Sequence, residues 1–394
     1  MTLQQYRKSR IQDAMVQSGA DILIASVPQH ILYLTGFIGL GATYHPRTQN
    51  YAVYDPSRDK IYLVVSLSDS ATALDQSPDA EIVGYGSFRF FLDSGTPSPY
   101  CDDYRRRVSA EAANPAAALT DILIRCQAAG KAVAWDELRT PVTTWNAVAE
   151  KFSGTRFIPG LSIFEKARMI KHPEEVSNLE YAANIAEDAL LAALKGVHEG
   201  TSERDIRYAY MREVSALYGD TFFMTSTIDR RTSYSDTVAT ETQTLRLGSI
   251  LRFDFGASYR FMCSDLARTA IYGPVEPRYA AAYASILEGL EAAESAMRPG
   301  IAAKEVFAIA QKAVQRTLPT FSRHHCGHGI GIMINDLPSI SPTSEQVLEP
   351  GMVFSVETPY YVLDQFGMQI EDMVVVTQTG VRRLCHTSNE LIRC

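Results

Sequence analysis

Five residues in the second half of the chain have the types and the setting for metal chemistry: Asp254 in RFDFG, Asp265 in CSDLART, His328 in GHGIG, Glu357 in SVETP and Glu371 in QIEDM. Each sits on or beside an apolar, strand-like segment. A carboxylate in such a segment is costly to bury unless it is paired or bound to a cation. Taken singly, each acid reads most simply as a strand-end carboxylate satisfied by backbone amides or an arginine. Taken together they do not, because four converging carboxylates carry too much negative charge. A mostly oxygen donor set with one imidazole suits two divalent ions such as Mn²⁺, Fe²⁺, Co²⁺ or Zn²⁺. Ions sharing those carboxylates would hold a bridging hydroxide as nucleophile and polarise a substrate oxygen.

The elements that must position these groups form a strand-rich second domain. SILRFDFGAS, FMCSDLARTAIYG, GMVFSVETPYYV and GMQIEDMVVVTQTG read as strands. Two helix pairs frame them, residues 172–197 with 202–219 and residues 277–297 with 302–318. Pro173 opens the first helix with Glu174 and Glu175 at its positive end, and Ser202 or Thr201 caps the second. The order helix pair, strands, helix pair, strands predicts an internally duplicated layer, with no residue-level repeat evident. Ahead of it, residues 1–160 alternate helix and strand signals. ADILIAS, HILYLTGF, NYAVYD, KIYLVVS and KAVAWDE read as strands, residues 109–130 as a helix, and residues 86–103, rich in Gly, Ser, Pro and aromatics, as a long loop. The fold class is therefore α/β (α+β), with domains at 1–160 and 161–394.

Composition limits the function. A net charge of −8 argues against a nucleic-acid partner, which calls for a basic surface. No apolar run is long enough to span a membrane, and the N-terminus lacks the apolar core of a signal peptide. Six cysteines without a CxxC pair fit reduced thiols, so a cytoplasmic enzyme is expected.

The ordered set DFG, SD, RT, GHGIG, VETP and IED resembles the pita-bread family of Xaa-Pro peptidases, methionine aminopeptidases and creatinases (metallopeptidase family M24). DILIASVPQHILYLTGF resembles the N-terminal domain of prolidases and creatinase, and KARMIKHPEEVSNLEYAANIA resembles their passage into the catalytic domain. The resemblance implies a creatinase-like α/β domain followed by a pita-bread domain with pseudo-twofold helix pairs and an antiparallel sheet. It makes Asp254, Asp265, His328, Glu357 and Glu371 the ligands of two divalent ions. It lets Gly327 and Gly329 bring their strand close to the metals, and places His324 on the substrate side. His325, Cys263 and Cys326 read as structural. The resemblance also implies a homodimer in which the N-terminal domain reaches the neighbouring active site, and the loop 39–50, with His45 and Arg47, is the candidate contributor.

Three departures from the peptidases stand out. The histidine expected seven residues after His328 is Asn335, which keeps a hydrogen-bond donor but cannot exchange a proton near neutral pH. No histidine lies between His198 and His324, where another is usual, and the arginine usual two residues before the last glutamate is Gln369. Catalytic candidates are therefore His324, Asn335 and Glu357. Losing three potentially cationic groups predicts a more negative pocket, poor Xaa-Pro dipeptidase activity and a small cationic substrate. Gln369, His45, Phe222, Tyr234 and Tyr360, with Phe223, Tyr259 and Tyr361, are candidate contacts, the aromatics by cation–π interaction. The leading expectation is a hydrolase of a peptide or small amide C–N bond. The alternatives are a lyase on a small onium carboxylate, with Asp236, Tyr234 or a ligand carboxylate as base, and a non-catalytic binding module.

Overall fold

The computed structural model describes residues 1–41, 45, 47–91 and 98–394. They divide into two compact units, Met1–Arg168 and Met169–Cys394. The division falls eight residues past the expected boundary at 160. The helix Leu161–Arg168 is held by the first unit, where Arg10 Nε and the Tyr33 hydroxyl both donate to the Ala167 carbonyl at 3.3 and 3.1 Å.

The first unit is a seven-stranded mixed sheet. Its strands are β1 (Ile22–Ala25), β2 (Tyr51–Asp55), β3 (Lys60–Ser66), β4 (Ala80–Tyr85), β5 (Val108–Ala112), β6 (Ala132–Trp135) and β7 (Arg156–Pro159), in the order β5-β4-β3-β2-β1-β6-β7. Helices α1 (Leu3–Ser18), α2 (Pro28–Thr35), α3 (Ser70–Gln76), α4 (Pro99–Arg107), α5 (Pro115–Arg125), α6 (Val142–Ala149) and α7 (Leu161–Arg168) connect the strands. Two expectations fail here. HILYLTGF, read as a strand, is the body of α2. Pro28 at its first turn, the Thr35 hydroxyl on Ile31 O at 2.7 Å and Gly36 at φ +82° close a short helix whose residues His30–Thr35 are all buried, so its apolar run shows no helical period. Residues 99–103 of the expected loop 86–103 belong to α4, begun by Ser98 accepting from Cys101 N and by Pro99. Residues 92–97 of that expected loop, and 42–44 and 46 of the loop 39–50, lie outside the described residues.

The second unit carries α8 (Pro173–Lys195), α9 (Glu203–Ala216), α10 (Pro277–Ala296) and α11 (Ala303–Gln315) on a ten-stranded, almost wholly antiparallel sheet. Its strands are β8 (Asp220–Ile228), β9 (Ile250–Tyr259), β10 (Met262–Cys263), β11 (Leu266–Ile271), β12 (Gly327–Gly329), β13 (Asp336–Ser339), β14 (Val353–Glu357), β17 (Glu371–Val376), β18 (Val381–Arg383) and β19 (Ile392–Arg393), and β15 (Tyr360–Val362) and β16 (Phe366–Met368) form a separate hairpin. The main path is β10-β9-β11-β17-β14-β12-β13. The strand β8 is added to those expected; its Thr- and Ser-rich half gives no clean alternation. Phe354 and Val356 alternate with Ser355 and Glu357 and join the apolar cluster of Ile286, Leu290 and Val314, so α10 and α11 cover the face opposite Glu357.

The duplication has a residue-level repeat after all, written in main-chain bonds. Gly200 N donates to Leu245 O, and Gly300 N to Leu348 O. Leu245 N returns to Thr201 O, and Leu348 N to Ile301 O; Glu203 N meets Gln243 O, and Ala303 N meets Gln346 O. In both halves a left-handed glycine follows, Gly248 at φ +89° and Gly351 at φ +88°, and six residues later each half presents an acid, Asp254 or Glu357. GTSERDI and GIAAKEV share little beyond that glycine, a second acid and an aliphatic, which is why composition hid the repeat.

Candidate metal centre

Sheet register brings the five ligand candidates to one face. Asp254 on β9 stands opposite Ala267 on β11, Ala267 opposite Glu371 on β17, and Glu371 opposite Glu357 on β14. Directly opposed residues share a face, and so do residues two apart along a strand. Asp265, two before Ala267, and His328 on β12, opposite Ser355 of β14, therefore join the same row. The Ser355 hydroxyl ties the layers by donating to the Asp265 carbonyl at 3.1 Å. Ala267 leaves open the middle of a row otherwise made of acids.

Asp265, His328 and Glu371 offer ligand atoms within 4.8 Å of one another. His328 donates from Nδ1 to Gly329 O at 3.1 Å, which turns its Nε2, 3.4 Å from Asp265 Oδ2, towards the acids. That backbone bond fixes the tautomer a metal ligand needs. Asp265 Oδ1 is buried and accepts no hydrogen bond among the described residues. A buried carboxylate oxygen without a donor, beside an oriented imidazole, fits a cation.

Electrostatics point the same way. Burial first, then the Asp265 charge, pushes Asp254 up to about 8, although Arg252 pulls it back. Part of the Asp254 side chain touches solvent, yet its carboxyl lies deep in the row. Burial raises Asp265 against the pull of His328, raises Glu357 against Arg323, and holds Glu371 well above the carboxylate range. Burial disfavours charged His328, but Asp265 outweighs it and the net shift is upward. The acids hold protons chiefly because they are buried, with neighbouring carboxylates adding to this for Asp254, Glu357 and Glu371, while the imidazole is raised by Asp265 beside it.

The remaining predicted residues are dispersed. Gln369 is 2% exposed and sits inside the row, its Nε2 donating to Asp254 Oδ2 and Glu357 Oε2 at 3.2 Å and to Glu371 Oε2 at 3.4 Å. His324 is exposed and packs edge-on against His325, ring centroids 4.3 Å apart. Asn335 is exposed in the bend 331–335 and makes no hydrogen bond among the described residues. Tyr234 contributes its carbonyl, which accepts from Arg252 Nη2 at 2.6 Å, while its ring lies under Arg230. Tyr360 packs against Phe366 and the apolar cluster, and Phe222 pairs with Phe223. Tyr259 packs at a tilt against Tyr181, while Asp236 and His45 are exposed. Gly327 and Gly329 make room for their neighbouring strands. They alternate with His328; a Cβ on Gly327 would overlap the Ser355 carbonyl, and one on Gly329 would meet Leu337 O at 2.5 Å.

Four residues near the row escaped notice or weight in the sequence. Arg252, fully buried two positions before Asp254, donates from Nη1 to Gln369 Oε1 at 2.8 Å. A cation at i−2 from an acid in an apolar strand was a usable signal. The Arg323 Nη2 lies 3.8 Å from Glu357 Oε1, and its Nε is buried without a partner. Both guanidinium groups sit over the Tyr361 ring, at 5.3 and 5.5 Å, and the Tyr361 hydroxyl donates to Gln369 Oε1 at 3.1 Å. His325 Nδ1 lies 3.2 Å from Glu357 Oε1 but accepts the Gly327 N–H at 3.2 Å. It is therefore an acceptor facing an acceptor and no ion pair, in keeping with burial that pushes it down to about 4. The expectation of a pocket stripped of positive charge is corrected by Arg252 and Arg323.

Comparison with known proteins agrees with this arrangement. The creatinase/prolidase N-terminal domain family matches residues 7–170, and metallopeptidase family M24 matches residues 177–378. The chain is 31% identical over 233 residues to an Xaa-Pro dipeptidase of Pyrococcus furiosus, covering 58% of this chain and 67% of that one. It is 25% identical to an Xaa-Pro dipeptidase of Lactobacillus delbrueckii subsp. lactis over 387 residues, 97% of each chain. Its fold superposes on a prolidase from Thermococcus sibiricus with a TM-score of 0.84 at 23% identity over the whole of both chains. The fold also matches the N-terminal domain of the FACT complex subunit SPT16 from Cicer arietinum, TM-score 0.76 at 15% identity, covering 99% of this chain and 98% of that one. The family match over the sheet that bears the five candidate ligands does decide membership: the chain belongs to metallopeptidase family M24.

Proposed function

We propose that the protein is a divalent-metal-dependent hydrolase of a peptide or small amide C–N bond, with Xaa-Pro dipeptides as the first substrates to test. The observation that carries this reading is the single-faced row of Asp254, Asp265, His328, Glu357 and Glu371 with Asp265 Oδ1 unpartnered. Two divalent cations held there would act as Lewis acids on a carbonyl oxygen and on water. The remaining work falls to the chain. Glu357, raised by burial, is placed to take a proton from the attacking water and return it to the leaving nitrogen as the C–N bond breaks. Arg323, with an unpartnered Nε, supports a substrate bearing an anionic group such as a free carboxylate. Its presence removes the ground for a cationic substrate. The lyase alternative gains no support, since Asp236 is exposed and the Tyr234 ring is engaged by Arg230.

The test is turnover by protein reconstituted with Mn²⁺, Fe²⁺, Co²⁺ or Zn²⁺, assayed against Xaa-Pro and other dipeptides, small amides and onium carboxylates. Hydrolysis of a dipeptide or small amide at a kcat/KM of about 10⁴ M⁻¹s⁻¹ or more is expected, with Xaa-Pro dipeptides below that range because Asn335 and Gln369 stand where the peptidases usually carry histidine and arginine. Metal-loaded protein that splits no amide, or that acts only on onium carboxylates without adding water, overturns the reading.

A further inference from the structure

Gln369 stands where its surroundings define both ends of its amide. Its oxygen faces two donors, Arg252 Nη1 at 2.8 Å and the Tyr361 hydroxyl at 3.1 Å, while its nitrogen faces Asp254, Glu357 and Glu371. Its main chain is fixed as well, with Gln369 N accepting no freedom from the adjacent strand: it donates to Thr269 Oγ1 at 2.9 Å, and its carbonyl takes the Thr269 hydroxyl at 2.9 Å. Arg252 is itself immobilised by the carbonyls of Thr232, Tyr234 and Ser235. The result is a chain of contacts from a buried guanidinium, through a neutral amide, to three acids borne by three different strands.

We propose that Gln369 is the positioning residue of the metal centre: anchored by Arg252 and Tyr361, it sets the orientation of Asp254, Glu357 and Glu371 before metal arrives. A neutral donor suits this task. It spans the gap between strands without adding a positive charge to a site that divalent cations would fill. The guanidinium that compensates the cluster in the metal-free protein is kept one side chain away, where it braces the amide instead of competing for the ligand oxygens. This inference rests on the metal-centre reading but not on the identity of the substrate.

The experiment is calorimetric titration of wild type, Gln369→Leu and Tyr361→Phe with Mn²⁺, alongside thermal melts of the metal-free proteins. Gln369→Leu is expected to weaken Mn²⁺ binding about 10- to 100-fold, as is usual when the groups that orient metal ligands are removed. Tyr361→Phe keeps the ring between the two arginines and loses only one bond to the amide, so a weakening of about two- to tenfold is expected. A side chain that merely fills space would shift the melting temperature and leave the dissociation constant alone. Folded Gln369→Leu that binds Mn²⁺ within about twofold of wild type overturns the proposal. If Gln369→Leu does not fold, Tyr361→Phe decides, and an unchanged dissociation constant overturns it. Wild type that binds no metal brings down the metal centre itself, an outcome distinct from the loss of the brace alone.

Discussion

At the scale of single residues, the candidate ligand set was legible as a group because its chemistry is unforgiving, and the sheet register brings the five side chains to one face. Acids in apolar strands need an explanation, and five such positions in order leave few. What sequence could not show was direction. Gln369 reads as an arginine lost; in the structure its amide reaches three acids, and the charge reappears at Arg252, invisible as a partner without the sheet register. Asp265→Ala is expected to abolish turnover and metal stoichiometry at one site or both. Metal-free Asp265→Ala should melt no lower than wild type, because the carboxylate it removes is buried among like charges. Parallel metal analysis and calorimetric melts check both halves; a variant that retains full metal content would show that Asp265 is not a ligand. Arg323→Met should raise KM for an anionic substrate more than it lowers kcat, and steady-state kinetics on paired free-carboxylate and amidated dipeptides measures the split.

At the scale of elements, strands with clean boundaries were readable and buried helices were not. The segment Pro28–Thr35 shows neither period, being enclosed on all sides, and α4 lay among residues whose composition resembles a loop. The glycines of GHGIG were credited to the metals, whereas their missing side chains admit the neighbouring strands. Gly327 makes this testable. It adopts φ +136°, and a Cβ there would collide with the Ser355 carbonyl, so Gly327→Ala must push β12 from β14 and carry His328 with it. Destabilisation of about 1–3 kcal/mol and a loss of metal affinity are expected together, by chemical denaturation and titration. Gly248, with no atom within contact of its Cβ position, is the control for backbone strain alone. On the opposite face, Arg268 joins Glu187 and Asp372 at 2.8 Å and donates to the Glu371 carbonyl at 2.7 Å, all of them buried. Arg268→Met leaves two buried acids without that cation and should cost about 3–5 kcal/mol in an unfolding titration.

For the molecule as a whole, the carboxyl row couples metal, protons and stability. Asp254 sits at about 8 in the metal-free protein, above its ordinary range, so the folded chain holds a proton that the unfolded chain releases near pH 4. Its contribution to stability is complete below that range and is lost as the pH climbs to about 8. Metal must displace those protons, so its affinity rises over the same interval. The gap in melting temperature between metal-loaded and metal-free protein should therefore widen from pH 6 to 8. Saturation at a hundredfold excess over Kd is worth about 2.7 kcal/mol. A gap that narrows would mean the row is not the titrating unit. The alternation of the strands gives the row one more consequence. Glu371 and Asp372 are adjacent acids on opposite faces, the first in the row and the second claimed by Arg268 and Arg383. A one-residue slip of β17 would exchange them and turn every neighbour over. Bound metal is then a proofreading signal: in a refolded preparation, the fraction of chains that load two ions counts the chains whose sheet has paired in the correct frame.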